Sequence, residues 1–433
     1  MSTARFGVSA RVAEWHNLPM RKVLAKRTAV LAAAVAGLLV SWQISAHEVI
    51  TTKVTFSKEI VRILGKNCLG CHRAGGMAPM SLATYAEARP WAKAIKEEVL
   101  ERRMPPWHAA PGFNEFRNDR RLADREVDLI TAWVDGGAPK GEDRDLPPPA
   151  AEAAAEWPLG KPDLILDAAK PLSIKADSTD EYRSFVLAYR GSLDRWVRAI
   201  DLRAGLRGAG QHAFLWIDRS GPAERLDTPT YAYFGAAPAG AEIVGAWMPG
   251  QEQAASPSGV GHLLPAGARL ILQVHRPVSD VDEAEAPHVG LYFGKGAPRR
   301  LRELVVGSPK IEIPAGETSY AVRGSHTLDV DVDATSVLAH MHRLGKSMEV
   351  AAVRPNGTRE VLVWVRDYDF KWQTTYTFKR PVRLPRGTRI EVVALYDNSD
   401  RNPRNPSSPP RVVRVGDSPG DQASAARLTY VAR

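Results

Sequence analysis

The sequence predicts a multidomain chain: a small all-α domain followed by two all-β sandwiches. Three observations carry this reading. Segments with helical spacing of apolar residues are confined to about residues 47–140. From Pro162 onward, short alternating apolar runs are broken by Gly, Pro, Asn and Asp, the pattern of strands and turns. Residues 141–161 between them are rich in Pro, Ala and Glu, and Pro147-Pro148-Pro149 favours an extended spacer. The 433 residues allow about three domains, and the β half divides at 162–303 and 304–433.

Residues 1–46 read as a signal peptide. Arg5, Arg11, Arg21, Lys22, Lys26 and Arg27 precede the apolar run Thr28 to Val40, and Ile44-Ser45-Ala46 forms a cleavage site. The run is too short to be read as a membrane span, so membrane contact is expected only if the signal stays uncleaved. The mature chain is expected to be periplasmic or otherwise exported. Part of the net charge of +9 sits in this segment. No basic run elsewhere is interleaved with aromatics, which argues against nucleic acid as a partner.

In the helical part, Phe56 to Asn67 predicts a helix with Phe56, Ile60 and Leu64 on one face. Trp91 to Arg103 predicts a second, with Pro90 at its start, where the missing N–H is harmless. Asp124 to Asp135 predicts a third, with Asp124 as N-cap, a stripe of Val127, Ile130, Trp133 and Val134, and Gly136-Gly137 as its end.

The first helix delivers Cys68-Leu69-Gly70-Cys71-His72, and Cys-x-x-Cys-His is the attachment signature of a c-type haem. The thiols of Cys68 and Cys71 would bond the haem and His72 would ligate its iron. These are the only 2 Cys of the chain, so neither a disulfide elsewhere nor a four-thiolate metal site competes. A thioredoxin-like dithiol would not need His72. A helix before this motif and another at the end is a cytochrome c arrangement, expected over 47–140. Arg103-Met104-Pro105-Pro106-Trp107 resembles the axial-ligand loop of class I cytochromes c, which makes Met104 the expected second axial ligand. Met77 and Met80 compete with it, and His108 could be a second histidine ligand but is expected rather to bond locally.

In the β half, strands are expected at Ser184 to Tyr189, Arg195 to Arg203, Gln211 to Asp218, Arg269 to His275, Val337 to His342, Met348 to Arg354, Glu360 to Val365 and Arg389 to Tyr396. Arg354-Pro355-Asn356-Gly357 is a hairpin turn. His340 and His342, two apart on a strand, project from one face and could offer two nitrogen ligands to one metal, or equally form a solvated pair. His212 and His275 sit at ends of other strands, where a single histidine is more often structural than a ligand.

The runs YRSFVLAYRGSLDRWVRAIDLRAG, GQHAFLWID, GAWMPG, LPAGARLILQVHR, AHMHRLGKSMEV, RDYDFKWQTTY and YDNSDRNPRNP resemble the copper type II, ascorbate-dependent monooxygenases, in particular bacterial members with a cytochrome c domain ahead of the copper module. The resemblance covers about residues 52 to 417. It implies two jelly-roll-like sandwiches, each holding one copper, facing across a solvent-filled cleft. One copper stores an electron and the other binds O2 and hydroxylates a C–H bond. His212 and His275 match ligands of the first site, and His340 and His342 match ligands of the second. Two departures stand out. Gln211 occupies a position where the family has His, and no methionine follows Met348, where the family has a ligand. An amide is a poor substitute for imidazole on copper(I), so the His340/His342 site is expected to be the stronger and the His212/His275 site the weaker. Met348 or Met248 could stand in for the missing thioether. The implied function is electron transfer coupled to hydroxylation of a small molecule or peptide, with haem c and copper as cofactors and ascorbate or a redox partner as reductant. The alternative is a copper-degenerate, non-hydroxylating electron-transfer or ligand-binding protein.

Overall fold

A computed structural model describes residues 52–433 except 75, 77, 149–156, 158, 168–171, 175–180, 204–211, 219–240, 249–254, 277–282, 286, 297, 309 and 415–423. The expected signal peptide, Met77, Gln211 and much of the expected linker lie outside the described residues.

The helical segment forms around the apolar stripes that its sequence carries. One π-helical turn, Phe56–Ile60, runs into the helix Val61–Asn67. Phe56, Ile60 and Leu64 are buried against Ala92, Ile95 and Val99 of Ala92–Leu100 and against Val127, Ile130 and Trp133 of Asp124–Asp135. Between them, Tyr85–Ala88 opens with a reciprocal Thr84/Glu87 capping box. The cap of Asp124–Asp135 falls one residue earlier than the sequence predicts. Ala123 is the N-cap, and its N–H donates to the Glu126 carboxylate at 2.9 Å. Asp124 sits in the first turn, where its charge faces the positive end of the helix dipole.

The strands assemble into two four-on-four sandwiches that share a sheet. An 8-stranded sheet runs in the order Leu164–Asp167, His288–Phe293, Arg195–Arg203, Val260–Leu264, Arg299–Gly307, Ser424–Ala432, Val332–Met341, Thr375–Leu384. Its first half encloses one core with the sheet Glu181–Ala188, Arg269–Arg276, His212–Asp218, Glu242–Trp247. Its second half encloses another with Tyr320–Thr327, Arg389–Tyr396, Gly345–Val353, Arg359–Val365. The Arg354 turn forms as expected, with Gly357 at φ 83° and its N–H on the Arg354 carbonyl at 2.9 Å.

The expected fold class, a small all-α cytochrome c domain followed by two all-β jelly-roll-like sandwich domains, is overturned. The chain is mostly strand, its helices are few and short, and Val54–Arg433 cluster as one unit, so a cytochrome c domain is not shown. The reason lies in the segment between the second and third helices. Trp107 and Phe116 enter the core of the C-terminal sandwich and pack on Tyr376 with ring centroids 5.1 and 5.3 Å away. The backbone follows them: Ala110 N–H donates to Trp364 O at 2.7 Å, Arg117 N–H to Thr377 O at 2.7 Å, and Lys379 N–H to Glu115 O at 2.8 Å. Asn118 pins the same strand, accepting from Thr377 N–H and donating to Thr375 O.

The sandwiches are also joined to each other. Arg299 and Arg300 pair in parallel with Val260 and Gly261. A Cβ at position 261 would lie 2.9 Å from the Val197 carbonyl, so this close approach needs glycine. Phe214, Trp216, Ile243, Met248 and Ile271 from one sandwich pack against Leu338 and Ala425 from the other. Charged groups are sealed in near the join. Arg427 is paired with Glu303, both almost fully buried, and Thr429 Oγ1 donates to the same carboxylate at 2.8 Å.

His262 lies among these charges. Burial first, then the Arg427 and Arg300 charges, push its pKa from 6.5 down to about 3. The unfolded chain therefore takes up a proton as pH falls below 6.5 that the folded chain refuses until about pH 3. Stability drawn from this residue is complete above the unfolded pKa and is lost as pH falls through that window, by at most about 1.4 kcal/mol per unit. We predict that His262→Gln flattens the acid limb of a stability-versus-pH curve between about pH 6 and 4. Identical slopes in parent and variant would contradict the burial account.

Candidate metal centre

Strand alternation places three histidines on one surface. Every residue of His212–Asp218 is buried, because both of its faces are covered. Ala213, Leu215 and Ile217 fill the N-terminal core, while Phe214 and Trp216 point into the seam between the sandwiches. His212 belongs to the second set by its even spacing. In Val332–Met341 the same rule sends Val337, Ala339 and Met341 into the C-terminal core and Leu338 into the seam. His340 follows Leu338 by two, and His342 follows the strand by one residue.

The rings meet there. The His212 and His340 centroids are 6.0 Å apart, and those of His340 and His342 are 5.4 Å apart and nearly perpendicular. All three residues are buried, His212 and His340 to 1% exposure. Phe370 packs edge-on against both His212 and His342, at 5.8 and 5.9 Å. Among the described residues, no three His, Cys, Asp or Glu side chains are already converged on a metal position.

Side chains around the cluster fix its orientation. His340 Nδ1 and Gln373 Oε1 are 2.6 Å apart. An amide oxygen can only accept, so Nδ1 carries the proton and Nε2 is the nitrogen able to ligate a metal. Gln373 is itself buried, and its Nε2 donates to the Phe370 carbonyl at 3.3 Å. The Tyr368 hydroxyl bonds the backbone N–H and C=O of Met341, between the two histidines. A Cβ at Gly345 would stand 2.8 Å from Met341 Cβ and 2.9 Å from the Tyr368 ring, so the turn after His342 closes only on glycine.

The remaining expected copper residues are placed as follows. His275 is the Cα ladder partner of His212. Gln211 lies outside the described residues. Met348 is wholly buried in the C-terminal core, and Met248 is wholly buried in the seam. Among the described residues, Phe214, Trp216, Ile243, Met248 and Ile271 pack against Leu338 and Ala425 at the boundary between the sandwiches. The sequence reading missed Gln373, Phe370 and Tyr368. All three lie in the run RDYDFKWQTTY, whose aromatics follow no strand or helix period.

The haem motif forms a tight turn off its helix. Cys68 N–H donates to Leu64 O at 2.8 Å and His72 N–H to Cys68 O at 2.9 Å. Both cysteines are unbridged. Burial, with lesser contributions from Cys71 and Glu126, pushes the Cys68 thiol up to about 12, the reverse of a redox-active dithiol. His72 Nδ1 lies 3.3 Å from the Met80 carbonyl, which again makes Nε2 the nitrogen able to ligate a metal. Met80, Cys68 and Leu69 are partly buried against the helical core, and a Cβ on Gly70 would meet open space. This donor set fits covalent haem. Met104 is half-buried at the head of the loop that carries Trp107 and His108. Burial lowers the pKa of His108, against which the Asp369 charge and a hydrogen bond to the Trp372 backbone work.

Residues 302–405 match the model of the copper type II ascorbate-dependent monooxygenase C-terminal domain. That span holds His340, His342, Tyr368, Phe370 and Gln373. The match supports a copper monooxygenase-like module, a copper-dependent family and ascorbate as its reductant. No curated protein matches the chain. Among solved structures, infectious bursal disease virus of the Gx strain is similar at 8% identity over 63% of this chain and 73% of that one, with a TM-score of 0.18. The VP2 subviral particle of the same virus gives 7% identity over 63% and 72%, with a TM-score of 0.19. Likeness this weak says nothing of function. Among the described residues no helix is long and apolar enough to cross a membrane.

Replacing Gln373 by Leu leaves the buried His340 Nδ1–H without its acceptor. We predict a loss of about 1–3 kcal/mol in the stability of the metal-free protein, measured by chemical denaturation, with Gln373→Glu retaining most of it. No loss in the Leu variant would mean that the contact does not hold the ring.

Proposed function

We propose that this chain is an exported haem protein whose β half is a copper monooxygenase-like module that hydroxylates a C–H bond. The observation that carries the proposal is the family match at 302–405, which falls on the sandwich whose central strand ends in His340 and His342. Cys68 and Cys71 would hold the haem covalently, with His72 and Met104 as axial ligands. His340 and His342, with His212 and His275 across the seam, would hold copper. The reaction consumes a C–H bond, O2, two electrons and two protons and yields C–OH and water. Copper, when bound, supplies one-electron transfer and activation of O2.

The residues of the chain do the rest. Gln373 holds the proton of His340 on Nδ1, and Phe370 covers the rings from solvent. The Met104 loop reaches the same place. Trp107 packs edge-on against Tyr376, and His108 bonds the backbone of Trp372, which shares the short turn Phe370–Trp372 with the covering phenylalanine. Packed protein of this segment would then carry electrons arriving from ascorbate or a redox partner toward the histidine cluster.

A second reading is favoured by the seam itself. Phe214, Met248 and Leu338 fill the space where the resemblance implies a cleft, which suits an electron-transfer protein that does not hydroxylate. Metal and haem analysis followed by oxygen uptake with ascorbate separates the two. The first reading predicts haem, copper and oxygen uptake that rises with an accepted substrate. Haem and copper without uptake across a broad substrate screen supports the second. For the haem, Met104→Ala is expected to abolish the weak methionine-to-iron charge-transfer band of the ferric protein. Survival of that band would assign the axial position to another methionine.

A further inference from the structure

We propose that the cavity beside His262, between the two sheets of the N-terminal sandwich, binds a short-chain aliphatic carboxylate, its charged end on the His262 imidazole and its alkyl chain along the apolar wall. The proposal rests on neither the haem nor the copper reading.

Two strand irregularities open the space. Where Arg195–Arg203 pairs with His288–Phe293, the register steps from Tyr292/Ala199 to Phe293/Val197 and skips Arg198. Where His212–Asp218 pairs with Glu242–Trp247, it steps from Leu215/Gly245 to Trp216/Ile243 and skips Val244. A skipped residue bends its strand and re-aims the side chains beside it. The two irregular strands touch across the sandwich, and a cavity of about 110 Å³ lies between them. Ala199, Leu202 and Val244 line its buried end, and the half-buried Gly245 and Ser256 line its mouth. Ser256 N–H donates to the Arg198 carbonyl at 2.7 Å, which pins that edge.

One polar ring faces the cavity from its buried end. His262 is the ladder partner of Val197 and shares a strand face with Leu264 of the N-terminal core, so it is turned between the sheets. It is only 8% exposed, and its Nδ1 has no hydrogen-bond partner among the described residues. A buried nitrogen without a partner is unfavourable, and a ligand atom that bonds it removes that cost.

Charge decides what the ligand carries. Arg300 pairs with Gly261, the neighbour of His262, and its Nε is a second buried donor without an acceptor. The Arg300 and Arg427 guanidiniums both act on His262 and help to hold its pKa down, although Glu242 and Glu303 engage them in ion pairs. The ring thus sits in a positive field with donors to spare, which favours an anion over a cation. A carboxylate accepts from Nδ1–H and gains the strength of a charge-assisted bond. The rest of the wall is apolar, which asks for hydrocarbon. An apolar cavity of about 150 Å³ takes a benzene, so the smaller space here suits propionate or butyrate.

The test is calorimetric titration of the purified full-length protein with sodium butyrate and with butyramide, at constant ionic strength. One butyrate per chain is expected, with butyramide weaker by about tenfold because the neutral amide forgoes the charge-assisted bond. A Cβ at Gly245 would meet Ile200 and Leu215 at 3.5 Å, an ordinary contact, so Gly245→Ala should fold and narrow the cavity. It is expected to weaken butyrate by about tenfold. His262→Leu, which removes the donor, should abolish binding, with circular dichroism confirming its fold. Should His262→Leu fail to fold, Gly245→Ala carries the test. No butyrate binding, as for a cavity that holds only water, would overturn the proposal. Equal affinity for butyramide would overturn the carboxylate assignment. Butyrate affinity unchanged by Gly245→Ala would place the ligand elsewhere and overturn the site.

Discussion

The structure depends on burying both faces of two strands at once. His212–Asp218 and Val332–Met341 each give one face to their own sandwich core and the other to the seam. Period-two alternation then leaves no freedom. Once Leu215 and Ala339 point inward, Phe214 and Leu338 must meet across the seam, and His212 and His340 must follow them at its end. A slip of one residue in either strand would turn its core set toward the seam and scatter the histidines. The apolar packing of the seam thus sets the ring positions, and Gln373 and Phe370 only trim them.

This explains which features were legible in the sequence. The stripes of Phe56, Ile60 and Leu64 and of Val127, Ile130 and Trp133 encode helices directly, and both helices form. Alternating runs such as Arg389–Tyr396 encode strands with one wet face, and the observed burial alternates in step. HAFLWID is different. It reads as a continuous apolar run, which says that both faces are covered but not by what. The convergence of His212 on His340 was therefore invisible, while the His340/His342 pair was visible from its spacing alone. Gln373 contacts His340 from 33 residues downstream, in a loop without period, and no local rule announces it.

The same limit explains why the expected all-α cytochrome c domain is not shown. Trp107 and Phe116 sit in and after the Met104-Pro105-Pro106 loop, where no helical or strand period says which way an aromatic faces. Aromatics in such loops must bury their area somewhere, and here the nearest apolar surface is the C-terminal sandwich around Tyr376. That choice ties the haem motif, the loop of Phe370 and the histidine cluster into one body. A candidate haem segment and a candidate metal centre held by shared packing keep a fixed separation, which a flexible tether would not provide.

The central claim is that the two sandwiches are locked through the seam, and calorimetry of the metal-free protein with Phe214→Ala and Leu338→Ala tests it most directly. Each substitution removes seam packing from a different sandwich, at a cost of about 2–5 kcal/mol. A locked seam predicts one cooperative transition for both sandwiches, lowered by either substitution, with calorimetric and van't Hoff enthalpies in agreement. Two resolved transitions, of which Phe214→Ala lowers only one and Leu338→Ala only the other, would contradict it.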